Sequence, residues 1–337
     1  MINIQTNIIS ATDIGLIREI NEDSCHTVET PNGYLCIVCD GMGGHVGGAQ
    51  ASRIAVDCIM QFFFKEKYSN IRLALKESLD FANLQIIGTA SDHSELKGMG
   101  TTACVLLVQD DCVWFAHVGD SRIYLYVAKE KCLHRLTKDH SYVQGLIDQG
   151  IIYEEEAENH PDRNRILKAL GIKEDLQAEI VEYSVFPAKG DLFLICSDGL
   201  SSMVPDKRIE TILSSKNDLQ EKENSLMSAA KAAGGLDNIT FQLIRISQSP
   251  HKKSIFVSKN NPIKKARKKP VSLKYALLII VVAVLLTSIL IGRKGEQIQI
   301  ETPIVPVDST IIINQQDSIL ENSTSKNIPI THNTDSI

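Results

Sequence analysis

The 337-residue sequence predicts an α+β protein: two packed antiparallel sheets with helices outside, followed by one C-terminal transmembrane helix. Three observations carry this reading. Short apolar runs bounded by Gly, Pro, Asn and Asp form two strand-rich groups, each followed by a pair of segments with helical apolar spacing. A βαβ alternation is absent, which excludes a doubly wound parallel sheet. Residues 271–291 are almost wholly apolar, with no charge after Lys274, and about 20 such residues suffice to cross a bilayer core.

Taken in order, residues 4–13 read as an opening strand. Thr27-Val28 and the apolar run Tyr34–Cys39 read as a hairpin turned at Pro31-Asn32-Gly33. Ile54, Val56, Ile59, Met60 and Phe63 place a helix over 49–64, and Leu73, Leu75, Leu79, Phe81, Leu84 and Ile86 a second over 71–87. Strands over 103–108, 113–118 and 121–127 form a meander. Residues 139–171 are polar and irregular, an insertion long enough to be a flap. Strands over 177–185 and 191–196, helices over 206–213 and 223–233, and a strand over 238–246 complete the pattern.

The formal charge of −6 hides a division. Lys259, Lys264, Lys265, Arg267, Lys268, Lys269 and Lys274 make 254–274 strongly basic, whereas everything before Pro250 is net acidic. An acidic body argues against nucleic acid as a partner and suits a site that collects cations. The basic side of the apolar run places the N-terminal domain in the cytoplasm, and its lysines would be drawn to anionic membrane lipid. The tail 293–337, rich in Ser, Thr, Asn and Ile, reads as disordered and extracytoplasmic. Of eight cysteines, Cys36 and Cys39 form a CxxC, but on a strand they face opposite sides, so buried reduced thiols are the reading. The first residues lack the pattern of a signal peptide.

The chemistry lies at strand tips. Asp40 ends the run Tyr34–Cys39 and is followed by Gly41-Met42-Gly43-Gly44-His45. Asp198-Gly199 follows strand 191–196, Gly119-Asp120 follows 113–118, Asp237 opens 238–246, and Asp23 closes Asn21-Glu22-Asp23. Any one of these is an ordinary turn residue. Together they form a carboxylate set without a matching His/Cys set, which selects Mg²⁺ or Mn²⁺ over zinc. Asp40, Asp198 and Asp237 could hold two ions roughly 3.5–4 Å apart and activate a water between them for displacement at phosphorus. Asp40 would bridge, and the Gly41 carbonyl would add a neutral oxygen. Arg18 is the candidate for the phosphate oxygens and His45 for the proton to the leaving group.

With these residues laid out, the chain resembles the PPM (type 2C) family of metal-dependent protein serine/threonine phosphatases in its bacterial form. The match runs through Thr12–Arg18 with Asn21–Asp23, Asp40–His45, Gly98–Thr102, Val118–Arg122, Leu136–Ser141, His160-Pro161, Ala169–Gly171, Ser197–Leu200 and Asp237–Thr240. The resemblance implies an α-β-β-α four-layer sandwich over 1–247. It implies that Asp23, Asp40, Gly41, Asp198 and Asp237 ligate the metal pair, that Asp120 with Asp198 holds a weaker third ion, that Arg18 binds phosphate and that His45 donates the proton. It assigns Asp139, His140 and His160 to the flap. Leu236 stands where the family commonly has a small residue. Phosphoproteins are the implied substrates and a eukaryotic-type serine/threonine kinase the implied counterpart. The remaining chain divides into a basic linker over 248–270, the membrane helix over 271–292 and the tail. A phosphoprotein-binding module without catalysis is one alternative, against which the complete carboxylate set argues, and a dinuclear hydrolase for another phosphoester is a second.

Overall fold

The computed structural model describes residues 5–157 and 159–256, apart from the side chain of His45. The chain divides into two units, Met1–Lys265 and Ala266–Ile337, and all described residues belong to the first. The expected membrane helix, the tail and the linker beyond 256 lie outside the described residues. Among the described residues no helix is long and apolar enough to cross a membrane.

Two antiparallel sheets face each other. The first has β1 (Gln5–Asp13), β7 (Arg122–Val127), β8 (Cys132–Arg135), β10 (Leu192–Cys196) and β11 (Ile239–Gln248), in the order β1-β11-β10-β7-β8. The second contains β2 (Asp23–Thr30), β3 (Gly33–Met42), β5 (Ala103–Gln109), β6 (Cys112–Val118) and β9 (Glu179–Ile180), in the order β2-β3-β5-β6-β9, with β4 (Gly100–Thr101) on the end of β3. Strand alternation explains the continuous apolar runs, because both faces of each central strand are covered. In β3, Leu35, Ile37 and Cys39 pack under α1 (His45–Lys65) and α2 (Ile71–Asp92). Cys36 and Val38 point the other way, into the core between the sheets, with Phe193, Ile195 and Ile244. The polar insertion carries two short helices, α3 (Tyr142–Asp148) and α4 (Glu154–Ala157). A single turn, α5 (Asp198–Ser201), follows β10. The outer face of the first sheet, including Leu194, Phe241 and Leu243, is covered by α6 (Asp206–Ser214) and α7 (Leu219–Ala232). The result is the four-layer α-β-β-α arrangement.

The CxxC cysteines sit on opposite faces, and burial pushes the Cys36 thiol up to about 12. Three elements differ from the sequence reading. Helix α1 begins at His45, four residues early, because its first turn packs on the glycine loop: a Cβ on Gly41 would lie 2.2 Å from the Gly48 carbonyl oxygen. The strand expected over 177–185 shrinks to β9 and a single bridge, Val113–Val185. Strand β8 carries no apolar pattern and exists through its pairing with β7.

Residues 249–256 pack on the domain after β11 ends. Ser254 is buried, and its hydroxyl donates to Asp191 at 2.5 Å. Phe186 and Ile255 exchange backbone bonds of 2.9 Å. The Ser249 hydroxyl donates to the Pro187 carbonyl at 2.6 Å.

Candidate active site

The antiparallel topology gathers the acidic tips at one end of the sandwich. Asp23 starts β2 directly opposite Asp40 on β3. Asp120 lies in the β6–β7 turn, Asp198 begins α5, and Asp237 precedes β11. Asp40, Gly41, Asp120, Asp198, Asp237, Arg18 and Glu22 line a cavity of 280 Å³, which Asn164 and Ile166 reach from the insertion. Backbone clamps hold this end together. The Asp40 carbonyl accepts from the Thr102 amide and the Thr101 hydroxyl, both at 2.8 Å. Asn238 accepts from the Glu22 amide at 2.8 Å and donates to the Ile14 and Ile20 carbonyls at 3.0 Å, so one side chain pins the N-terminal loop to the start of β11.

Burial and crowding set the electrostatics. Desolvation, then repulsion from Asp23, Asp198, Asp120 and Asp237, holds the Asp40 carboxyl well above the usual carboxylate range. Asp120 is likewise well raised by burial and by Asp198. Burial raises Asp23 to about 7, although the Ser197 hydroxyl donates to it at 2.8 Å, and raises Asp198 to about 6. The Asp120 Oδ1 is buried with no hydrogen-bond partner among the described residues. Arg18 donates to Asp237 at 2.8 Å and lies 4.0 Å from Glu22.

A buried set of like charges with one arginine at its rim is costly to maintain without cations. The sequence model of protein phosphatase 2C matches residues 18–234. The chain belongs to the protein phosphatase 2C family. This phosphatase is 40% identical over 240 residues to the serine/threonine phosphatase stp of Listeria welshimeri, covering 69% of this chain and 93% of that one. It superposes on the serine/threonine phosphatase of S. agalactiae with a TM-score of 0.68 at 34% identity, over 72% of this chain and all of the other. The catalytic domain of the phosphatase PstP, solved in complex with two manganese ions, gives a TM-score of 0.63 at 30% identity, over 72% and 99% of the two chains.

The phosphatase's own residues fit Mn²⁺ or Mg²⁺. The donors are all oxygen, as hard divalent ions require, and the unpartnered Asp120 Oδ1 faces the same acidic cluster. Asp23 does not line the cavity wall; it stands one strand behind Asp40, held by Ser197. Glu22, named only as part of its motif in the sequence, lines the wall instead. Neighbours one apart on a strand face opposite ways, so only the bend entering β2 decides which acid turns inward. His45 opens α1 directly after Gly44, which lines the cavity. A groove of 720 Å³ continues from the cavity, sharing Asp120, Asp198 and Asn164, between the insertion and α5–α6.

The three residues assigned to the flap lie off the cavity wall. Asp139 accepts from Arg122 at 2.8 Å and pairs with Arg135; burial alone would raise its pKa, but the two guanidiniums hold it below the usual range. Asp139→Ala would take the carboxylate from the largely buried Arg135 and leave Arg122 only the Asp206 carboxylate, at 4.0 Å, a loss of about 3–5 kcal/mol. A thermal melt is expected to show a Tm lowered by roughly 10 °C. His140 roots the insertion: its amide donates to the Gly119 carbonyl at 2.9 Å, its carbonyl accepts from Leu167 at 2.7 Å, and its Nδ1 accepts from the Gly119 amide at 3.1 Å. His160 sits within the insertion, where its Nδ1 accepts from the Asp162 amide at 3.1 Å.

His117, His140 and Glu179 bring potential ligand atoms within 4.8 Å of one another. They do not form a prepared metal site. The two rings stack with centroids 4.7 Å apart and 15° between planes, so their in-plane lone pairs do not converge. The bond from Gly119 to His140 Nδ1 places that ring's proton on Nε2, where a metal would need a lone pair.

Proposed function

We propose that this chain, a protein serine/threonine phosphatase, hydrolyses phosphoserine and phosphothreonine in proteins at the acidic cavity, with two Mn²⁺ or Mg²⁺ ions held by Asp40, the Gly41 carbonyl, Asp198 and Asp237. The observation that carries this is the convergence of carboxylates from four separate strand ends on one cavity beside Arg18. When bound, the ions would activate a water as nucleophile and offset charge on the phosphoryl oxygens.

The chain's own groups supply the rest. Arg18 spends one N–H on Asp237, which aims the guanidinium and leaves other donors for the non-bridging phosphate oxygens. Its side chain is 47% exposed, so substrate can reach it. Glu22, 4.0 Å from Arg18, adds a second anionic restraint on that side chain. His45 is assigned the proton for the leaving serine or threonine oxygen, on its place after the cavity-lining Gly43-Gly44. Asp23 supports Asp40 from behind. Asp120 and Asp198 would hold a third, weaker ion, as the orphaned Asp120 Oδ1 favours.

The apolar run 271–291 and the basic stretch before it support a single-pass anchor in the plasma membrane, with the catalytic domain cytoplasmic and the tail 293–337 outside. A eukaryotic-type serine/threonine kinase is the proposed counterpart, on the family resemblance alone. The full-length chain is expected to hydrolyse p-nitrophenyl phosphate and phosphothreonine peptides with Mn²⁺, to lose activity in EDTA and to regain it when Mn²⁺ is restored. Turnover that persists after chelation would overturn the metal-dependent reading.

A further inference from the structure

We infer that the exposed apolar rim made by Leu16, Ile17 and Leu236 is a subsite for apolar side chains next to the phosphorylated residue of the protein substrate. This rests on the phosphatase reading above and adds a sequence preference to it. Leu16 is 60% exposed, Ile17 64% and Leu236 49%. Single exposed aliphatics are ordinary, but these three flank the two charged groups that face each other at the cavity mouth, Arg18 and Asp237.

Leu16 and the turn that carries Leu236 adjoin. The Leu16 side chain lies across the turn that carries Leu236, with its Cγ 2.9 Å from where a Cβ on Gly235 would stand. Ile20, 39% exposed, lines the cavity itself. The backbone beneath is pinned. The Leu16 amide donates to the Gly235 carbonyl at 2.8 Å, and Asn238 holds the loop on both sides of it, at Ile14 and Ile20. Gly15 has φ +83°, and a Cβ there would meet the Asp237 carbonyl oxygen at 2.2 Å, so the two loops touch backbone to backbone.

An extended peptide advances about 3.3 Å per residue. With its phosphate on Arg18, a peptide would bring the residues within two positions of the phosphoresidue into reach of Ile17 and Leu16, which precede Arg18 in the chain. An anionic lipid surface suits the rim poorly: Glu19, Glu22 and Asp237 border the cavity mouth, and its one bordering cation among the described residues, Arg18, is already paired with Asp237.

The test compares two phosphothreonine peptides that differ only in the flanking residues, leucine against serine, with the full-length chain in Mn²⁺. The wild type is expected to favour the leucine peptide about tenfold in kcat/KM, the scale on which an apolar subsite discriminates. In a Leu16→Ser, Ile17→Ser double variant the ratio is expected to fall to within about twofold, through KM, with p-nitrophenyl phosphate turnover unchanged. Equal wild-type rates on the two peptides, or a preference that survives in the variant, would overturn this subsite and leave the phosphatase reading standing. Turnover of p-nitrophenyl phosphate with no cleavage of either peptide would overturn the protein-substrate reading as well.

Discussion

Asp40→Asn is expected to lower kcat on the order of 10³-fold, about 4 kcal/mol of transition-state stabilisation, while the protein stays folded. Asparagine matches aspartate in shape and keeps an acceptor oxygen, but it removes the charge at the point where the acidic cluster is densest. Asp23, Asp198, Asp120 and Asp237 all repel the Asp40 carboxylate. The backbone of Asp40 is held by Thr101 and Thr102 rather than by its own side chain, so the strand end does not depend on the carboxylate. The metal-free variant is therefore expected to melt higher than the metal-free wild type at neutral pH, since asparagine is buried uncharged without taking up a proton, as the crowded Asp40 carboxyl must. Saturating Mn²⁺ kinetics with p-nitrophenyl phosphate, run beside a thermal melt in EDTA, read both effects. A variant with wild-type kcat would move the bridging role to another carboxylate.

In the absence of divalent ions, the Tm is expected to fall by about 10 °C between pH 5 and pH 7.5, while the Mn²⁺-loaded protein changes little over the same range. The sign follows from which state holds protons more tightly. Asp23 and Asp198 keep theirs up to about 7 and 6, and Asp40 and Asp120 are also raised, whereas the unfolded chain releases them near the ordinary value of 3.8. The folded state thus binds more protons in this window, and stability drops as pH rises. It is fully present below about pH 4 and is lost as pH passes through the folded values. Each tenfold difference in proton affinity between the folded and unfolded states is worth roughly 1.4 kcal/mol, and a domain of this size moves about 2–4 °C per kcal/mol. Cations bind the deprotonated cluster, so they replace the lost protons and flatten the slope. His117, which burial holds neutral down to about 3 against an ordinary 6.5, opposes the fall up to about pH 6.5, but it is one group against four carboxylates; depressed acids such as Asp13 and Asp139 act below the ordinary carboxylate value. A metal-free melt that rose with pH would show that these carboxylates are not crowded in the folded state.

The sheets and main helices were legible because their physics is local. A buried strand must be apolar along its whole length, as Leu35–Cys39 and Leu192–Cys196 are, and an amphipathic helix repeats every three to four residues, as 71–92 does. Edge elements were not legible. Strand β8 and 177–185 mix polar and apolar residues, and only their neighbours decide how much of each pairs. The same division runs through the site. Asp40, Asp120, Asp198 and Asp237 stood out because an acid at the tip of an apolar strand has no packing reason to be there. The exchange of Asp23 for Glu22 at the cavity wall could not be read, because it turns on the backbone bend that Asn238 imposes from more than 200 residues away.

From its order of residues alone, this protein determined its two-sheet core, the acidic strand tips and therefore a need for divalent cations, since burial and charge are properties each segment carries with it. Tertiary structure alone decided which acid faces the cavity, that Asp139 serves two arginines at the root of the insertion, and that Leu16 and Ile17 stand exposed beside Arg18. Those outcomes depend on contacts between segments far apart in the chain, and no periodicity within either segment encodes them.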